Sequence, residues 1–421
     1  MSRCKVCVLT INHSALDDRI FYKEGISLRK AGYNVTLVAP LSDEGFLFDM
    51  SGNKIADSET TVQDIKIICF KKNKSRFGRI HSILELIRLA SLGRFNLGKE
   101  YADLIDKGVE LEADVYHCHE IWSLYAGMLI KKRLQKMGRE PKLVYDVHEF
   151  HPAVTYDVKN YMDRVYNLFL RRTIVHFEKK ALQYTDYVIT ANQITRGYLL
   201  ILNRFIQVEV LYNCPVLSIL QERERVKKDE NKVVICHEGF LLFRRGLKQL
   251  IEVMRALKKR YGDRIELLIV GDTFGDEKEY INKKLDEYNL HDTIKCSGWL
   301  PYEKVGDVLS QADIGIIFFE PTENNMLAGP PHKLFNYMRY GIPVVSVNLP
   351  ETSRIISDVD CGVIIKDWDL NSMTAALSTL IDDRDERHRL GENARMAINE
   401  HYNWDQMEKK LLKVYEKMCG E

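Results

Sequence analysis

The 421-residue sequence has almost no net charge, since 61 lysine and arginine residues stand against 60 aspartate and glutamate residues. The formal charge of +1 argues against DNA or RNA as a bulk electrostatic partner, because such proteins neutralise phosphates with clustered cations. Any basic surface must therefore be local, and we expect no nucleic-acid partner.

Long hydrophobic runs are also missing, because nowhere do 18 apolar residues follow one another, and we predict no membrane span. The apolar run within residues 1–10 is too short for a signal peptide. The nine scattered cysteines, an odd number, fit a reducing compartment better than a disulfide framework. Cys4 and Cys7 lie in an apparent strand on opposite faces, which favours two structural cysteines. We therefore expect a cytoplasmic protein.

Length and hydrophobic pattern predict two α/β domains. The chain is too long for one ordinary core, and segments of strand length alternate with helical segments in both halves, beginning with a predicted helix at 19–31. The charged stretch 221–230 interrupts this rhythm as a solvated linker. We predict domains at 1–213 and 214–402, each with a parallel, doubly wound sheet that binds ligands beyond its carboxyl edge.

Residues 329–345 read as a loop, a two-turn helix and a strand, with two prolines fitting the first helical turn and Gly341 fitting the left-handed position that ends the helix. Lys333 lies where the helix dipole disfavours a cation, which makes sense if an anion binds there. Asn336 and Tyr337 follow three and four positions later and can share its face. The segment predicts a phosphate site.

A second candidate phosphate site follows the predicted strand 233–237. Gly239 makes a turn, and Arg244 and Arg245 precede a helix that starts at Leu247. Arginine suits bidentate phosphate binding, and the helix start adds free N–H groups. Together with Lys333, these residues predict one anion site in the second domain.

Histidines and carboxylates end two predicted strands of the first half. His117 and His119 share a strand face and are followed by Glu120, while His148 and Glu149 end a later strand. A zinc site needs further converging ligands, and no pattern places His148 near this pair, so we predict no metal. A histidine that binds sugar hydroxyls or orients a donor is the favoured interpretation, and a structural histidine is the alternative.

Two further features have simpler interpretations. The triplets 358–360 and 367–369 have the Asp-x-Asp pattern that can hold Mg²⁺, but they flank a short strand and are interpreted as turn and cap residues. The segment 71–96 is basic and amphipathic, so it could lie on an anionic membrane surface or form an ordinary packed helix.

In their order along the chain, several motifs resemble one branch of the mostly retaining, family-four GT-B glycosyltransferases, which build bacterial cell-surface glycans. They are the stretches at 17–24, 32–35, 144–149, 212–215 and 245–247 and, most specifically, Pro331–Met338 before Gly341–Val344. The resemblance covers nearly the whole chain. It implies two Rossmann-like domains facing a central cleft, with the last helix, 403–421, packing back on the first domain.

The resemblance also implies roles for individual residues. The second domain would bind a nucleotide-diphosphate sugar through Gly239, Arg244, Arg245, Lys333, Leu334 and Asn336. His119, with Glu120 beside it, would act next to the donor sugar. His13, Arg19, His148 and Glu149 would line the acceptor side. No cofactor beyond the donor substrate is implied.

The sequence departs from the family pattern in three respects. The stretch 12–18 replaces a glycine-rich loop, and Phe240 replaces an arginine, so Arg244 or Arg245 must take over that arginine's work. Two glutamates spaced eight apart become Ala328 and Asn336, although the amide of Asn336 can still bind a ribose.

We therefore expect a metal-independent, retaining transferase in cell-surface polysaccharide synthesis, acting on a glycan or lipid-linked acceptor at the inner face of the plasma membrane. The alternatives are another GT-B chemistry, such as a nucleotide-sugar epimerase, and a non-catalytic nucleotide-sugar binder that partners an active transferase.

Overall fold

The computed structural model describes residues 4–49, 52–71, 101–153, 161–217, 231–300 and 302–420. The chain divides into two compact units, Met1–Asn213 with Met407–Glu421, and Cys214–Gln406. Except for Lys71, the basic segment 71–96 lies outside the described residues, and so does the charged stretch 221–230.

The first unit is built on an eight-stranded sheet in the order β10-β9-β8-β7-β1-β2-β6-β5. All neighbours pair in parallel except the edge strand β5, which runs antiparallel to β6. A separate two-stranded hairpin pairs β3 with β4. These strands are β1 Lys5–Thr10, β2 Asn34–Pro40, β3 Leu47–Phe48, β4 Lys54–Ala56, β5 Glu59–Val62, β6 Ile65–Phe70, β7 Val115–His119, β8 Lys142–Val147, β9 Tyr187–Thr190 and β10 Val208–Val210.

Helices cover this sheet, and its central strands β1 and β7 are buried except for the exposed first residue of β1, Lys5, as expected of parallel strands between two helical layers. The first crossover begins with a π-helical segment, Asp18–Gly25, that continues directly into an α-helix. The described α-helices of the first half are α1 Ile26–Lys30, α2 Ala102–Glu110, α3 Glu120–Lys136, α4 Tyr161–Ala181 and α5 Gln193–Leu202.

The second unit has a six-stranded, wholly parallel sheet in the order β13-β12-β11-β14-β15-β16. Its strands are β11 Val233–Glu238, β12 Ile265–Val270, β13 Ile294–Cys296, β14 Ile314–Ile317, β15 Val344–Val347 and β16 Gly362–Ile365. The described helices are α6 Leu247–Tyr261, α7 Asp276–Tyr288, α8 Tyr302–Leu309, α9 Glu323–Leu327, α10 His332–Arg339, α11 Pro350–Val359, α12 Leu370–Asp382 and α13 Arg384–Glu400. The last helix, α14 Trp404–Cys419, lies mostly in the first unit.

The strand order reverses once in each sheet, and these points locate the candidate sites. In the first sheet the chain moves outward in opposite directions from β1 and β7, and in the second sheet from β11 and β14. In open parallel sheets, a crevice forms at such a switch point outside the carboxyl ends of the strands. The doubly wound α/β class predicted from the sequence is confirmed for both units.

Two local predictions need correction. The predicted helix at 19–31 is not one α-helix, because its first part is π-helical. The prolines before His332 do not occupy the first helical turn, since Pro331 is the extended residue that precedes the helix. Gly341 does adopt the predicted left-handed conformation, with φ of +61°, just beyond the end of α10.

The cysteine prediction was also wrong in one respect. Cys4 and Cys419 form a disulfide across a sequence separation of 415 residues, so the start of β1 is tied to the end of α14. Cys7 is buried and free, as expected of a structural cysteine. Spacing along the chain could not predict this bond, because the fold alone brings the two ends of the first unit together. None of the described helices is long and apolar enough to cross a bilayer.

Candidate active site

The candidate anion site of the second unit lies at the carboxyl end of β11. The side chains of Lys333, Asn336 and Tyr337 project from one face of α10 and are buried against this strand end. The Tyr337 hydroxyl donates to the carbonyl of Cys236 and accepts from the N–H of Glu238, both at 3.0 Å. The helix is therefore locked to the strand, and the predicted shared face is confirmed.

Gly246 brings the start of α6 to the same place. Its φ is +85°, and a Cβ built there would lie 1.9 Å from the carbonyl oxygen of Phe318, just after β14. Only glycine permits this approach. Arg245, in the helical turn before Gly246, is thereby held between the ends of β11 and β14, with its Nη1 beside Gly239.

Lys333 and Arg245 are two cations placed over the same aromatic ring. The Lys333 ammonium lies 5.1 Å, and the Arg245 guanidinium 5.6 Å, from the centroid of the Phe319 ring. Among the described residues, neither has a carboxylate within the 4.0 Å of an ion pair. Burial lowers the pKa of Lys333 to about 7, with Arg245 adding to the fall and Glu238 opposing it. Such a site favours an anion.

Glu238 and Asn336 form a polar pair beside these cations. The Asn336 amide donates to Glu238 Oε1 at 2.7 Å, whereas Glu238 Oε2 is buried without a hydrogen bond to any described residue. Burial raises the pKa of Glu238, although Asn336 and Lys333 oppose the rise. His237 is fully buried with its Nε2 3.4 Å from Lys333 Nζ, and burial together with Lys333 holds its pKa well below the usual value.

The remaining predicted donor residues are placed differently. The Arg244 side chain is exposed, and only its backbone carbonyl makes described hydrogen bonds, to Glu320 and Asn325. The Leu334 side chain is fully buried in the core, so a ligand could meet only its backbone. Of the two neighbouring arginines, Arg245 is therefore the one placed at the strand ends.

The first unit has a dense charged cluster at the ends of β7 and β8. The buried Arg19 contacts Asp146 at 3.2 Å through Nη2 and Glu24 Oε1 at 2.8 Å through Nε. His117 Nε2 lies 3.3 Å from Asp146 Oδ2, and the ring of His117 stacks on that of His119 with 4.6 Å between centroids. Sequence positions from 19 to 146 thus converge in one buried network.

Competing effects determine the pKa values of the groups in this network. Burial would raise the pKa of Asp146, but Arg19 and the neighbouring histidines hold it well below its usual value. Burial and the Asp146 charge raise the pKa of Glu24 well above its usual value. Burial and His117 lower the pKa of His119. The pKa values of the two neighbouring carboxyl groups, Glu24 and Asp146, are therefore displaced in opposite directions.

Glu120 follows β7 in a strained backbone conformation, with φ of +69°. Such a conformation is costly for a residue with a side chain, and it persists where the surroundings demand it. The Glu120 carboxylate accepts from the N–H of His148 at 3.1 Å and is in close contact with His151 Nε2. Burial would raise the pKa of Glu120, but His151, His148 and His13 together lower it.

The expectation that nothing brings His148 near the histidine pair was wrong. His148 Nε2 lies 3.2 Å from His119 Nδ1, because β8 is paired in register beside β7. His13 joins this group, with its ring centroid 5.7 Å from that of His148. Glu149, in contrast, is exposed and makes none of the described cluster contacts.

The Asp-x-Asp triplets serve the local structure, as predicted. Asp369 accepts from the N–H groups of Asn371 and Ser372 and caps α12. Asp360 ends α11 in a left-handed conformation and contacts Arg389. Neither of these two aspartates lies in the clusters described above.

Sequence reasoning missed several members of both clusters, namely Glu24, Asp146, His151, His237 and Glu238. Glu238 and His237 could have been found, since they are polar residues at the end of an otherwise apolar strand, as His117 and His119 are. Glu24 carried no such signal because it lies within a helical segment, and only the fold turns it toward β7.

The two parallel, doubly wound units are the two Rossmann-like domains of the GT-B fold. The chain is similar to the solved structure of Alr3699/HepE from Anabaena in complex with UDP. The alignment covers 98% of this chain and 100% of that structure's chain, with a TM-score of 0.65 and 14% sequence identity. A likeness at this identity shows the fold alone.

Residues 218–397 match the family model "Glycosyl transferases group 1". The uncharacterized glycosyltransferase MJ1069 of Methanocaldococcus jannaschii is 23% identical over 65% of this chain and 68% of its own length. The amylovoran biosynthesis glycosyltransferase AmsK of Erwinia amylovora is 25% identical over 42% of each chain. These matches confirm the resemblance to GT-B glycosyltransferases and the prediction of an enzyme of this type.

Proposed function

We propose that the protein transfers a sugar from a nucleotide-diphosphate sugar to a glycan or lipid-linked acceptor in cell-surface polysaccharide synthesis. One observation carries the proposal, namely that Lys333 and Arg245 lie together at a switch point without a described carboxylate in ion-pair range. Burial disfavours the charged forms of these two side chains. A negatively charged ligand would stabilise those forms, so the pair is suited to bind one. A diphosphate between the starts of α6 and α10 meets this requirement.

The diphosphate is also the leaving group of the reaction, so the same cations would assist the chemistry. Arg245, Lys333 and the free N–H groups of the helix starts would neutralise the charge that develops as the sugar departs. We therefore propose a reaction that needs no metal ion on the diphosphate. The capping and turn roles of Asp369 and Asp360 support this, because these aspartates are engaged elsewhere. Retention of anomeric configuration follows from the family resemblance.

Glu238 would compensate for the second of the two missing family glutamates. The position of the second glutamate is Asn336, which donates to Glu238 at 2.7 Å, so a carboxylate still stands at that place. We propose that the free Oε2 of Glu238 accepts a hydrogen bond from a ribose or sugar hydroxyl. We propose no replacement carboxylate for the first glutamate, whose position is occupied by Ala328.

The first unit would serve the acceptor and the donor sugar. His119 and Glu120 are fully enclosed, whereas His148, hydrogen-bonded to both, is partly exposed and is the member best placed to meet a substrate. The similarity to AmsK, which is named for amylovoran biosynthesis, supports a polysaccharide pathway. The similarity to HepE, which was solved in complex with UDP, supports a nucleotide donor. We place the reaction at the cytoplasmic face of the membrane, with segment 71–96 as the proposed lipid contact.

A panel of nucleotide sugars tests this function, with release of UDP, GDP or dTDP measured in the presence of cell-envelope acceptors. Release that depends on an acceptor supports the transferase. Binding without release, from every donor, would instead favour the non-catalytic binder, which the alanine at 328 motivates. Conversion of the donor without an acceptor would indicate an epimerase.

The neighbouring arginines provide a matched pair for the site itself. Arg245→Gln should abolish thermal stabilisation by the nucleoside diphosphate, while Arg244→Gln, which changes the exposed neighbour, should preserve most of it. Equal losses in the two variants would contradict the assignment of Arg245.

A further inference from the structure

We propose that the first unit binds a divalent transition metal ion, with Zn²⁺ as the best fit, through Glu24, His117, His119 and Asp146. One ligand atom from each of these side chains lies within 4.8 Å of all the others. All four side chains are at most 1% exposed. The site is distinct from the anion site of the second unit, and the inference does not depend on the proposed transferase activity.

One contact within the group is a hydrogen bond, between His117 Nε2 and Asp146 Oδ2, whereas the two contacts to Glu24 are too long for one. His117 Nε2 lies 3.6 Å from Glu24 Oε2 and 3.3 Å from Asp146 Oδ2, and His119 Nε2 lies 3.5 Å from Glu24 Oε2. Zinc bonds of about 2.0–2.2 Å in a tetrahedron place neighbouring ligand atoms about 3.3–3.5 Å apart. Three of the six pairs of ligand atoms thus have the spacing of a zinc coordination shell, and all six lie within 4.8 Å.

Unsatisfied atoms point into the same space. Both carboxylate oxygens of Glu24, and Nε2 of His119, are buried without a hydrogen bond to any residue in the described part of the chain. Arg19 Nε comes to 2.8 Å from Glu24 Oε1, but it lacks hydrogen-bond alignment there. Leaving a buried polar group unsatisfied costs about 1–3 kcal/mol, so a metal that uses these atoms would remove a real penalty.

The outer contacts are those that metal-bound side chains usually have. His117 Nδ1 is 2.8 Å from the hydroxyl of Tyr415, and His119 Nδ1 is 3.2 Å from His148 Nε2, so each Nε2 is left to face the ion. Arg19 Nη2 lies 3.2 Å from both carboxylate oxygens of Asp146 and fixes the orientation of that carboxylate. Two carboxylates can balance a divalent charge, and a set of two imidazole nitrogens and two carboxylate oxygens is compatible with Zn²⁺.

Four protein ligands leave no open coordination position, so the ion would have a structural role. It would join the π-helical segment, through Glu24, to the ends of β7 and β8. His119 would be held by the metal, and His148 would remain as the partly exposed histidine of the cluster.

The test uses the full chain, purified without an affinity tag after growth in zinc-supplemented medium and dialysed before elemental analysis. We expect about one Zn²⁺ per chain, a melting temperature that a chelator lowers by several degrees, and recovery on re-addition of Zn²⁺. Replacement by Co²⁺ should give the visible absorption bands of a four-coordinate site. Metal content below about a tenth of an equivalent, with a melting temperature insensitive to chelator and Zn²⁺, would overturn the proposal.

Variants assign the ligands. Glu24→Gln keeps the shape of the side chain and should reduce bound zinc at least tenfold, whereas the exposed His176→Gln should retain it. Full zinc content in Glu24→Gln would refute this ligand set. If Glu24→Gln fails to fold, the wild-type stoichiometry, chelator response and Co²⁺ spectrum still decide the question.

Discussion

The two units solve the same structural problem with opposite electrostatics. Each collects polar side chains at the switch point of a parallel sheet, around β7 and β8 in the first unit and around β11 and β14 in the second. In the first, Arg19 contacts two carboxylates within a closed network. In the second, Lys333 and Arg245 stand over one ring with no described ion pair.

The difference separates a cluster in which a buried cation already faces carboxylates from a pair of cations that no described carboxylate pairs. Opposite charges enclosed together stabilise each other's charged forms, as the depressed pKa of Asp146 shows despite its burial. Burial without a paired carboxylate disfavours the charged form, and the nearby Arg245 adds to this effect, as the lowered pKa of Lys333 shows. The first arrangement maintains structure, and the second favours the binding of an anion.

The largest effect is expected from breaking the first network. Arg19→Met removes the cation and leaves Asp146 and Glu24 buried together, so we expect a loss of about 3–5 kcal/mol in the free energy of unfolding. Urea-induced unfolding measures it. Arg133→Met, which breaks an exposed ion pair with Asp106, is the control and should change stability by less than about 1 kcal/mol. Similar values for the two variants would show that the buried network adds nothing.

Substitutions in the second site should change ligand binding and catalysis without lowering the stability of the free protein. Lys333→Met keeps the length of the side chain and removes the buried cation, so we expect turnover to fall about 10²-fold or more because the leaving diphosphate loses a charged partner. The free protein should be no less stable, since a cation without an ion pair has been replaced by an apolar group. Unchanged turnover would remove Lys333 from the proposed mechanism.

Sequence reasoning located the second site well because its parts are encoded locally. Lys333, Asn336 and Tyr337 share a face through helical spacing, and Gly341 and Gly246 mark positions that only glycine fills easily. Both doubly wound sheets also followed from the alternation of strands and helices. Local spacing carries such features because one turn or one helix decides them.

The first site could not be predicted to the same degree because tertiary pairing creates it. Asp146 meets His119 through the register of β8 on β7, and Glu24 reaches them only through a π-helical segment that changes which residues share a face. The disulfide between Cys4 and Cys419 depends likewise on where α14 docks. Register, helix type and docking are not readable from spacing.

The pKa of about 7 for Lys333 makes donor binding dependent on pH. Below pH 7 the free site is already protonated. Above it, Lys333 must take up a proton before it pairs with the diphosphate, so affinity should fall about tenfold per pH unit until the higher pKa of the complex is reached. Titration calorimetry with a nucleotide sugar, which has no group ionising near neutrality, measures this between pH 6 and about 9.

Lys333→Arg is the control for that slope. Arginine keeps its charge over the whole range, so the affinity of the variant should be flat with pH even if its absolute value is lower. A flat profile for the wild-type protein would mean that Lys333 does not titrate in the free site.

The smallest changes in stability are expected from removing the hydroxyl of one buried tyrosine in each unit. Tyr337→Phe removes a hydroxyl that bonds two backbone groups of β11, and we expect a loss of about 1–3 kcal/mol in stability because both groups are buried. Tyr415→Phe removes one bond to His117 Nδ1, and a loss of about 1 kcal/mol is expected. Urea-induced unfolding of both variants gives the comparison. Because Tyr415 orients a proposed metal ligand, its loss should also weaken zinc binding about 10- to 100-fold, whereas Tyr337→Phe should leave zinc binding unchanged. Equal zinc affinity in the two variants would make the hydroxyl of Tyr415 a purely structural partner of the histidine.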